Sequence, residues 1–441
     1  MKKNKKLVIV FVIAIIIMIA TLGIITKVDK KSNSNIIIVD NNGKVISEHQ
    51  NSQDSEDYET FIDVVMKEVK GIIGENISGN YIVKTTFDKT AFDSCSYAYS
   101  QMNYKSTPFA AVITDNDGRI LSVFSNDENK NYAIQKTQPY SSLKPLSVYA
   151  PAIENGTASW SSKYFDSPVK QVLSENGEYV DWPANGTGKY TETDLSIVDG
   201  IKISLNTTAV RCLMELGVDE SVKFLTEKLA LDIEEEEKLM ALNGEDEILH
   251  NIGLGYLIEG VTPVDMAGYY QIFANGGCYI KPYSVLEIVD ENGAIIYTAQ
   301  PEKVQVISNE TAYIMNLLLQ NTLSEGGTAH KAKYKDVQIG GKTGTGSGRT
   351  GNWFVGFTPE YSFSIWHGEY PKNVCAETFS HLISKMEYDT TKRFPLCPTV
   401  KQCVYCEESG DKLTINCNSM GTGYFTSNYV FKECDIHSSN K

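Results

Sequence analysis

Hydrophobic positions follow three different periods along this chain. Leu7 to Thr26 carries no charge over twenty residues, about the length at which a helix spans a bilayer's hydrocarbon core. Lys2, Lys3, Lys5 and Lys6 precede it, which predicts a cytoplasmic N-terminus and a body on the extracellular face of the cell membrane. The run is long for a signal peptide and no small-x-small site follows it, so it reads as an uncleaved single-pass anchor. Beyond it, alternation with period two predicts a short hairpin, Ile36–Val39 and Val45–Ile46 around Asn41–Gly43. Residues 47–58 are polar and acidic and read as a linker. Phe61, Val64, Val65, Val69 and Ile72 have helical spacing, and Ile82–Asp88 reads as a strand.

The same reasoning continues through the body. Phe109–Phe124 alternates as a hairpin around Asp115–Gly118. An apolar helix runs from near Ser141 to a stop at Asn155-Gly156. Residues 157–200 look irregular, and Glu234–Glu237 reads as a solvated helix face. Thr262-Pro263 opens a further helix, as N-cap and first-turn proline, and Asn275–Gly277 closes it. Ser308 caps an apolar helix through Leu323. Three adjacent antiparallel strands follow: Val337–Gly340, Trp353–Phe357 and Ser362–Trp366. The fold class is α/β in the α+β sense: an antiparallel sheet with helices on both sides and the Ser141 helix buried beside it.

Composition narrows the function. The net charge is −15 even with the N-terminal lysines counted, so the body is acidic and not built for nucleic acid. Nine cysteines are present, five of them in the tail: Cys397, Cys403, Cys406, Cys417 and Cys434. Outside the membrane such clustering favours disulfides. Cys403-Val-Tyr-Cys406 has zinc-ligand spacing, but no second such pair follows, so neither metal nor cofactor is assigned.

The chemistry centres on Ser141-Ser142-Leu143-Lys144. A serine and a lysine three apart share a helical face, and a desolvated lysine can deprotonate a serine hydroxyl. Ser141 is thus the candidate nucleophile and Lys144 its base. A second copy, Ser167-Pro168-Val169-Lys170, lacks a long apolar helix behind it and reads as a decoy. Two further elements follow in order. Ser204-Leu205-Asn206 offers a hydroxyl to relay a proton and an amide to hold a peptide bond; Ser174-Glu175-Asn176 is its rival. Lys342-Thr343-Gly344-Thr345 offers a positive charge for a substrate carboxylate, two hydroxyls, and a glycine permitting close approach. Each alone also reads as an ordinary cap or strand end.

This ordered triple resembles the transpeptidase region of class A penicillin-binding proteins, which share a fold with serine β-lactamases. The resemblance extends from about residue 58 to the C-terminus. It is carried by the flanks at 144–156, 204–217, 259–277, 340–348 and 353–368, and by the cysteine tail. It implies a D,D-transpeptidase that forms a Ser141 acyl-enzyme with peptidoglycan stem peptides and is acylated by β-lactams. It also implies an oxyanion hole from the Ser141 and Thr345 N–H groups. Water as acceptor would make it a D,D-carboxypeptidase. A hydrolytic base that would make it a β-lactamase is not identified, and the alternative from another class is a non-catalytic β-lactam sensor or scaffold. The division expected is residues 1–27 as tip and anchor, 28–104 juxtamembrane, 105–390 transpeptidase and 391–441 cysteine-rich. Family members carry a glycosyltransferase domain where this chain has only the acidic linker, so glycan polymerisation falls to a separate glycosyltransferase. Tyr140 stands where the family usually has glycine, and Asn352 where it usually has aspartate.

Overall fold

The computed structural model describes residues 35–48 and 58–437, except 104, 128, 175, 348–350 and 370–373. The apolar run 7–26 and most of the acidic linker lie outside these residues. Among the described residues no helix is long and apolar enough to cross a membrane. The described chain packs as two compact units. One holds the residues up to Asp88 together with Tyr283–Gln300, and the other holds Lys89–Pro282 and everything from Pro301.

In the first unit, β1 (Asn35–Val39) and β2 (Val45–Glu48) form the expected hairpin, so Ser47 and Glu48 complete a strand rather than begin a linker. Helix α1 (Glu59–Ile73) then crosses over to β3 (Asn80–Thr85), which pairs parallel to β1. Phe61, Val65 and Val69 form the buried stripe of α1, and the Phe61 ring packs on Phe87 at 4.9 Å. A late hairpin, Val285–Asp290 and Ile295–Thr298, adds antiparallel to β3. Glu68 holds its approach by accepting from the Ser284 backbone and hydroxyl, both at 2.7 Å.

In the second unit the elements that place the site are α2 (Lys89–Ser100), β4 (Phe109–Asp115), β5 (Ile120–Ser125), α3 (Asn206–Leu216), α4 (Pro263–Tyr270), α5 (Asn309–Asn321), β6 (Gly340–Thr345), β7 (Asn352–Phe357), β8 (Tyr361–His367) and α6 (Val374–Lys385). The five strands form one antiparallel sheet in the order β6-β7-β8-β4-β5. Helices α2 and α6 cover one face, where Phe379 of α6 meets Phe354 and Phe363 at 4.9 and 5.0 Å. Helix α4 covers the other face, started by the expected Thr262 cap and its reciprocal bond with Asp265.

Several expectations shift. The first of the three predicted strands begins only at Gly340, so the Lys-Thr-Gly stretch is itself the strand. Helix α2 packs in the second unit although the sequence-based division at 104/105 leaves it outside; its buried Ala91, Phe92, Cys95 and Ala98 face β5 and α6. Residues 157–200 hold two small antiparallel ribbons, Lys163–Phe165 with Asp194–Ser196 and Lys170–Leu173 with Tyr179–Trp182. Of the acidic run, Glu236 is buried and accepts from the Ile258 N–H, while its neighbours face solvent or its edge.

The tail departs most. Its ribbon is β9 (Lys401–Cys406) against β10 (Met420–Phe425). All nine cysteines lie among the described residues and none is in a disulfide, against the disulfide expectation. Cys403 and Cys406 do not act as a pair either. They lie three apart on one strand, and side chains an odd number apart leave opposite faces. Cys406 is buried and Cys403 half-buried.

Candidate active site

The Ser141 segment is not one α-helix. Tyr140–Ser142 is a 3₁₀ turn, Pro145–Tyr149 a π turn, and Ala150–Glu154 α-helical. Prolines explain the change of pitch, since Pro145 and Pro151 supply no N–H to the ladder. The Ser147 carbonyl, which residue 151 would otherwise serve, accepts instead from the Ser221 hydroxyl. Leu143, Leu146, Val148, Tyr149, Ala150 and Ala152 are fully buried, so packing holds the unusual backbone. Ser141 stays partly exposed between buried Tyr140 and Ser142.

Long-range contacts hold the turn that carries Ser141. The Tyr140 N–H donates to the Gly255 carbonyl at 2.9 Å, and Thr137 and Val261 exchange two backbone bonds of 2.9 Å. The Trp353 indole donates to the Gln138 carbonyl at 2.7 Å, and the Tyr270 hydroxyl to the Ser142 carbonyl at 2.5 Å. Strand β6 lies directly against it: a Cβ on Gly344 would fall 2.5 Å from the Pro139 carbonyl oxygen.

Tyr140 has φ +49°, the left-handed region that a side chain enters at a cost of about 1–2 kcal/mol. That conformation explains why glycine suits the position. The tyrosine ring is buried against Tyr256 at 5.2 Å, and Tyr256 meets His250 at 4.3 Å. This aromatic row beside Ser141 had no signal in the sequence, and neither did Gly255, whose φ is +75° and whose added Cβ would overlap the Tyr140 carbonyl.

The remaining expected residues converge on one turn. Ser204, with φ +62°, connects a short helix, Ile197–Lys202, to α3, which Asn206 begins. Lys144 Nζ lies 2.6 Å from Asn206 Oδ1, 3.2 Å from the Leu205 carbonyl oxygen and 3.4 Å from the Ser204 carbonyl oxygen. The Lys342 amine, from the middle of β6, donates to Ser204 Oγ at 2.6 Å and to the Thr343 carbonyl at 3.0 Å. Both lysines are fully buried. Thr343 and Gly344 are buried and Thr345 half-buried on the same strand.

Burial sets the electrostatics. Loss of solvent, then repulsion from Lys342, holds the Lys144 amine well below the usual lysine range. Its three oxygen neighbours would favour the ammonium, but they are neutral dipoles in a dry site and desolvation prevails. A neutral amine keeps a lone pair to take a proton. Burial also lowers Lys342, to about 7. It is therefore a titrating group near neutrality rather than a permanent charge, and a substrate carboxylate beside it would favour its protonated form.

A buried polar network anchors the turn from behind. Asn185 Oδ1 accepts from the Asn206 N–H at 3.0 Å, and the Asn206 amide donates to the Ala184 carbonyl at 2.6 Å. Asp166 accepts from Asn185 Nδ2 at 2.7 Å, Thr207 Oγ1 at 2.6 Å and the Thr191 N–H at 2.8 Å. Burial alone would raise the Asp166 carboxyl, but these bonds, Thr207 foremost, leave it below its ordinary value. The decoys are spent elsewhere. Ser167 Oγ accepts from Arg211 at 3.0 Å, Lys170 faces Asp246 at 3.6 Å, and Ser174 Oγ accepts from Glu178 within a hairpin turn.

With this geometry in view, the comparisons with known proteins are specific. The model of the penicillin binding protein transpeptidase domain matches residues 109–366. The chain belongs to this family. It is 27% identical over 348 residues to penicillin-binding protein 1A of Clostridium botulinum, covering 74% of this chain and 40% of that one. It is 30% identical over 335 residues to penicillin-binding protein 1F of Bacillus subtilis, covering 70% and 43%. The matched region thus spans about two fifths of these curated relatives. Among solved structures, penicillin-binding protein 1A from Haemophilus influenzae aligns with a TM-score of 0.66 at 18% identity, covering 84% of this chain and 76% of that one. The D,D-transpeptidase domain of a peptidoglycan glycosyltransferase from Eggerthella lenta gives 0.64 at 17%, covering 81% and 98%. These likenesses establish the fold. Family membership places the chain among serine acyltransferase-type enzymes of peptidoglycan synthesis in general terms.

Two substitutions test the nucleophile turn. Gly255→Ala should destabilise the protein and slow penicillin acylation at least tenfold, read by denaturation and by labelling rate, because a backbone carbonyl occupies the new methyl's place. Tyr140→Gly should relieve about 1–2 kcal/mol of strain but forfeit a buried aromatic worth about 3–5 kcal/mol. Chemical denaturation should therefore show a net loss of stability; a gain would mean that strain outweighs packing.

Proposed function

We propose that this protein is a membrane-anchored D,D-transpeptidase that cross-links peptidoglycan stem peptides through a Ser141 acyl-enzyme. The observation that carries the reading is the pair of buried lysines joined through one Ser204–Asn206 turn. Ser141 attacks the carbonyl of the penultimate D-alanine, and its hydroxyl proton passes to the neutral Lys144 amine. The tetrahedral oxyanion is stabilised by the Ser141 and Thr345 N–H groups. Its collapse breaks the peptide bond, and a proton delivered through Ser204 leaves with D-alanine. An amine of a second stem then attacks the ester, and Ser141 regains its proton. A β-lactam acylates Ser141 by the same first steps.

Each remaining residue has a place in this scheme. Asn206 orients Lys144 and can hold the substrate amide. Lys342 and the hydroxyls of Thr343 and Thr345 receive the terminal carboxylate. Strand β6 is an edge of its sheet, so its edge offers an extended peptide a place to lie alongside; Gly344 lets the Ser141 turn pack close against that strand. The run 7–26 serves as the anchor, with the body outside the cell. Only residues 49–58 separate β2 from α1, which supports a chain without glycan polymerisation and a separate glycosyltransferase that supplies strands.

Fluorescent penicillin should label the wild-type protein and leave Ser141→Ala unlabelled; labelling that survives the substitution would refute the nucleophile. Lys144→Met should lower the acylation rate by about 10²–10⁴-fold, the usual contribution of a positioned base. Incubation with a stem pentapeptide should yield cross-linked product only when an acceptor amine is present; release of D-alanine to water alone would make the protein a carboxypeptidase.

The acylation rate should also be bell-shaped in pH. It rises with pH as Lys144 loses its proton and becomes a base. It falls as Lys342 loses its own, at about 7 in the free site. Second-order rate constants report free-enzyme groups, so Lys342→Gln should be slow and lack the alkaline limb. A flat profile in the wild type would contradict these roles.

A further inference from the structure

The cysteine tail brings four ligand-type side chains together, far from the serine site in sequence. Cys406 ends β9, Cys417 lies in the loop before β10, and Cys434 and His437 follow β10. Their sulfur and imidazole atoms all lie within 4.8 Å of one another. His437 Nδ1 is 3.5 Å from Cys406 Sγ and 3.4 Å from Cys434 Sγ. A tetrahedral zinc ion, with bonds of about 2.3 Å to sulfur and about 2.0 Å to nitrogen, separates its ligands by about 3.5–3.8 Å. We propose that Cys406, Cys417, Cys434 and His437 form a structural zinc site.

Groups around the cluster support ligation rather than ordinary core packing. His437 Nε2 lies 3.4 Å from Glu408 Oε2. A proton held there fixes the tautomer and leaves the Nδ1 lone pair facing the sulfurs, as carboxylate partners of metal-bound histidines do. The Thr414 N–H donates to Cys417 Sγ at 3.2 Å, which stabilises a thiolate. Three soft thiolates and one imidazole, all within 4.8 Å of one another, are a donor set that suits zinc. The four positions provide a closed set with no ligand left to solvent, the pattern of a structural site.

The tail also lacks an adequate core of its own. Leu396, Ile415, Met420 and Val430 are all more than two-thirds exposed, while burial centres on Tyr405, Phe425, Cys406 and Cys434. Units of this size need a metal or cross-link to hold their shape. Here the metal would secure a turn with a further contact. Gly410 N–H bonds back to the Cys406 carbonyl at 2.8 Å. The Glu407 and Glu408 carbonyls accept from Lys163 at 2.7 and 3.1 Å, and the Gly410 carbonyl from Ser161 at 2.5 Å. Binding balances without a redox step: three thiols release their protons to solvent and the neutral imidazole adds its lone pair. The ion and three thiolates together carry one negative charge.

The test uses the full chain, purified without chelator from zinc-supplemented cells. Elemental analysis should find about one zinc per chain. Cobalt(II) replacing it in the wild type should give thiolate-to-metal charge-transfer bands and the visible bands of a tetrahedral site, a readout independent of any variant's folding. Cys417→Ser and His437→Ala should each weaken zinc retention against a competing chelator at least tenfold, whereas Cys403→Ser should leave it unchanged. A metal-free chain without the tetrahedral cobalt spectrum would overturn the proposal. So would peptide mapping of the freshly purified wild type that joins two of Cys406, Cys417 and Cys434 in a disulfide.

Discussion

Two lysine side chains buried in one dry cleft are the constraint around which this structure is arranged. An amine removed from water without oxygen partners is costly enough to lose its charge or open the fold. Here, apart from the Thr343 carbonyl beside Lys342, the partners come from a single three-residue turn. Ser204 Oγ takes Lys342, while Asn206 Oδ1 and the Leu205 and Ser204 carbonyls take Lys144. The turn holds Ser204 in a left-handed conformation, which a non-glycine residue sustains at about 1–3 kcal/mol when its surroundings enforce it. The Asp166–Asn185–Thr207 network provides that enforcement: Asn185 accepts from the Asn206 N–H and Asp166 from the Thr207 hydroxyl at the start of α3, and Asn185 and Asp166 are bonded to each other. The proton chemistry proposed for the site follows from the same burial. Desolvation holds Lys144 well below the usual lysine range and brings Lys342 to about 7.

The Ser141 segment shows a related trade of local regularity for position. A uniform α-helix would satisfy its own backbone, but two prolines forbid one. The backbone instead passes through 3₁₀, π and α pitches, with the Ser221 hydroxyl completing the ladder. Ser141 lies within the 3₁₀ turn and Lys144 two residues past its end, at the start of the π turn. The surrounding close approaches, Gly255 under the Tyr140 carbonyl and Gly344 beside Pro139, leave the turn little freedom. Tyr140 keeps the glycine-like backbone of its position and uses its side chain to extend an aromatic row through Tyr256 to His250.

The cysteine tail illustrates how a motif can mislead. Cys403-x-x-Cys406 has the spacing of a metal pair when the chain between its members turns, but β9 keeps it extended and the two sulfurs diverge. The cluster that does form draws Cys417 and the Cys434–His437 end back to Cys406, through the pairing of β9 with β10 and the backbone bridges of Lys412 to Tyr405 and Glu433.

Read by itself, the chain announced its family, the order of its three motifs and some of its helices and hairpins, but not the helices Lys89–Ser100, Asn206–Leu216 and Val374–Lys385. These depend on spacing and capping: Thr262 and Ser308 start helices in the sequence and in the structure because a cap is a local interaction. The division of labour between the two Ser-x-x-Lys copies was also legible, since the apolar run behind Ser141 had to be buried. Tertiary structure decided what local pattern cannot encode. It joined the late hairpin at Val285–Thr298 to β3, gave Gly255 and Asp166 their places around the site, and buried Glu236 amid an acidic run. It also lowered both lysines below their ordinary range through burial. A residue's pKa and its partners across the fold depend on which distant atoms displace its water, and that is settled only when the whole unit packs.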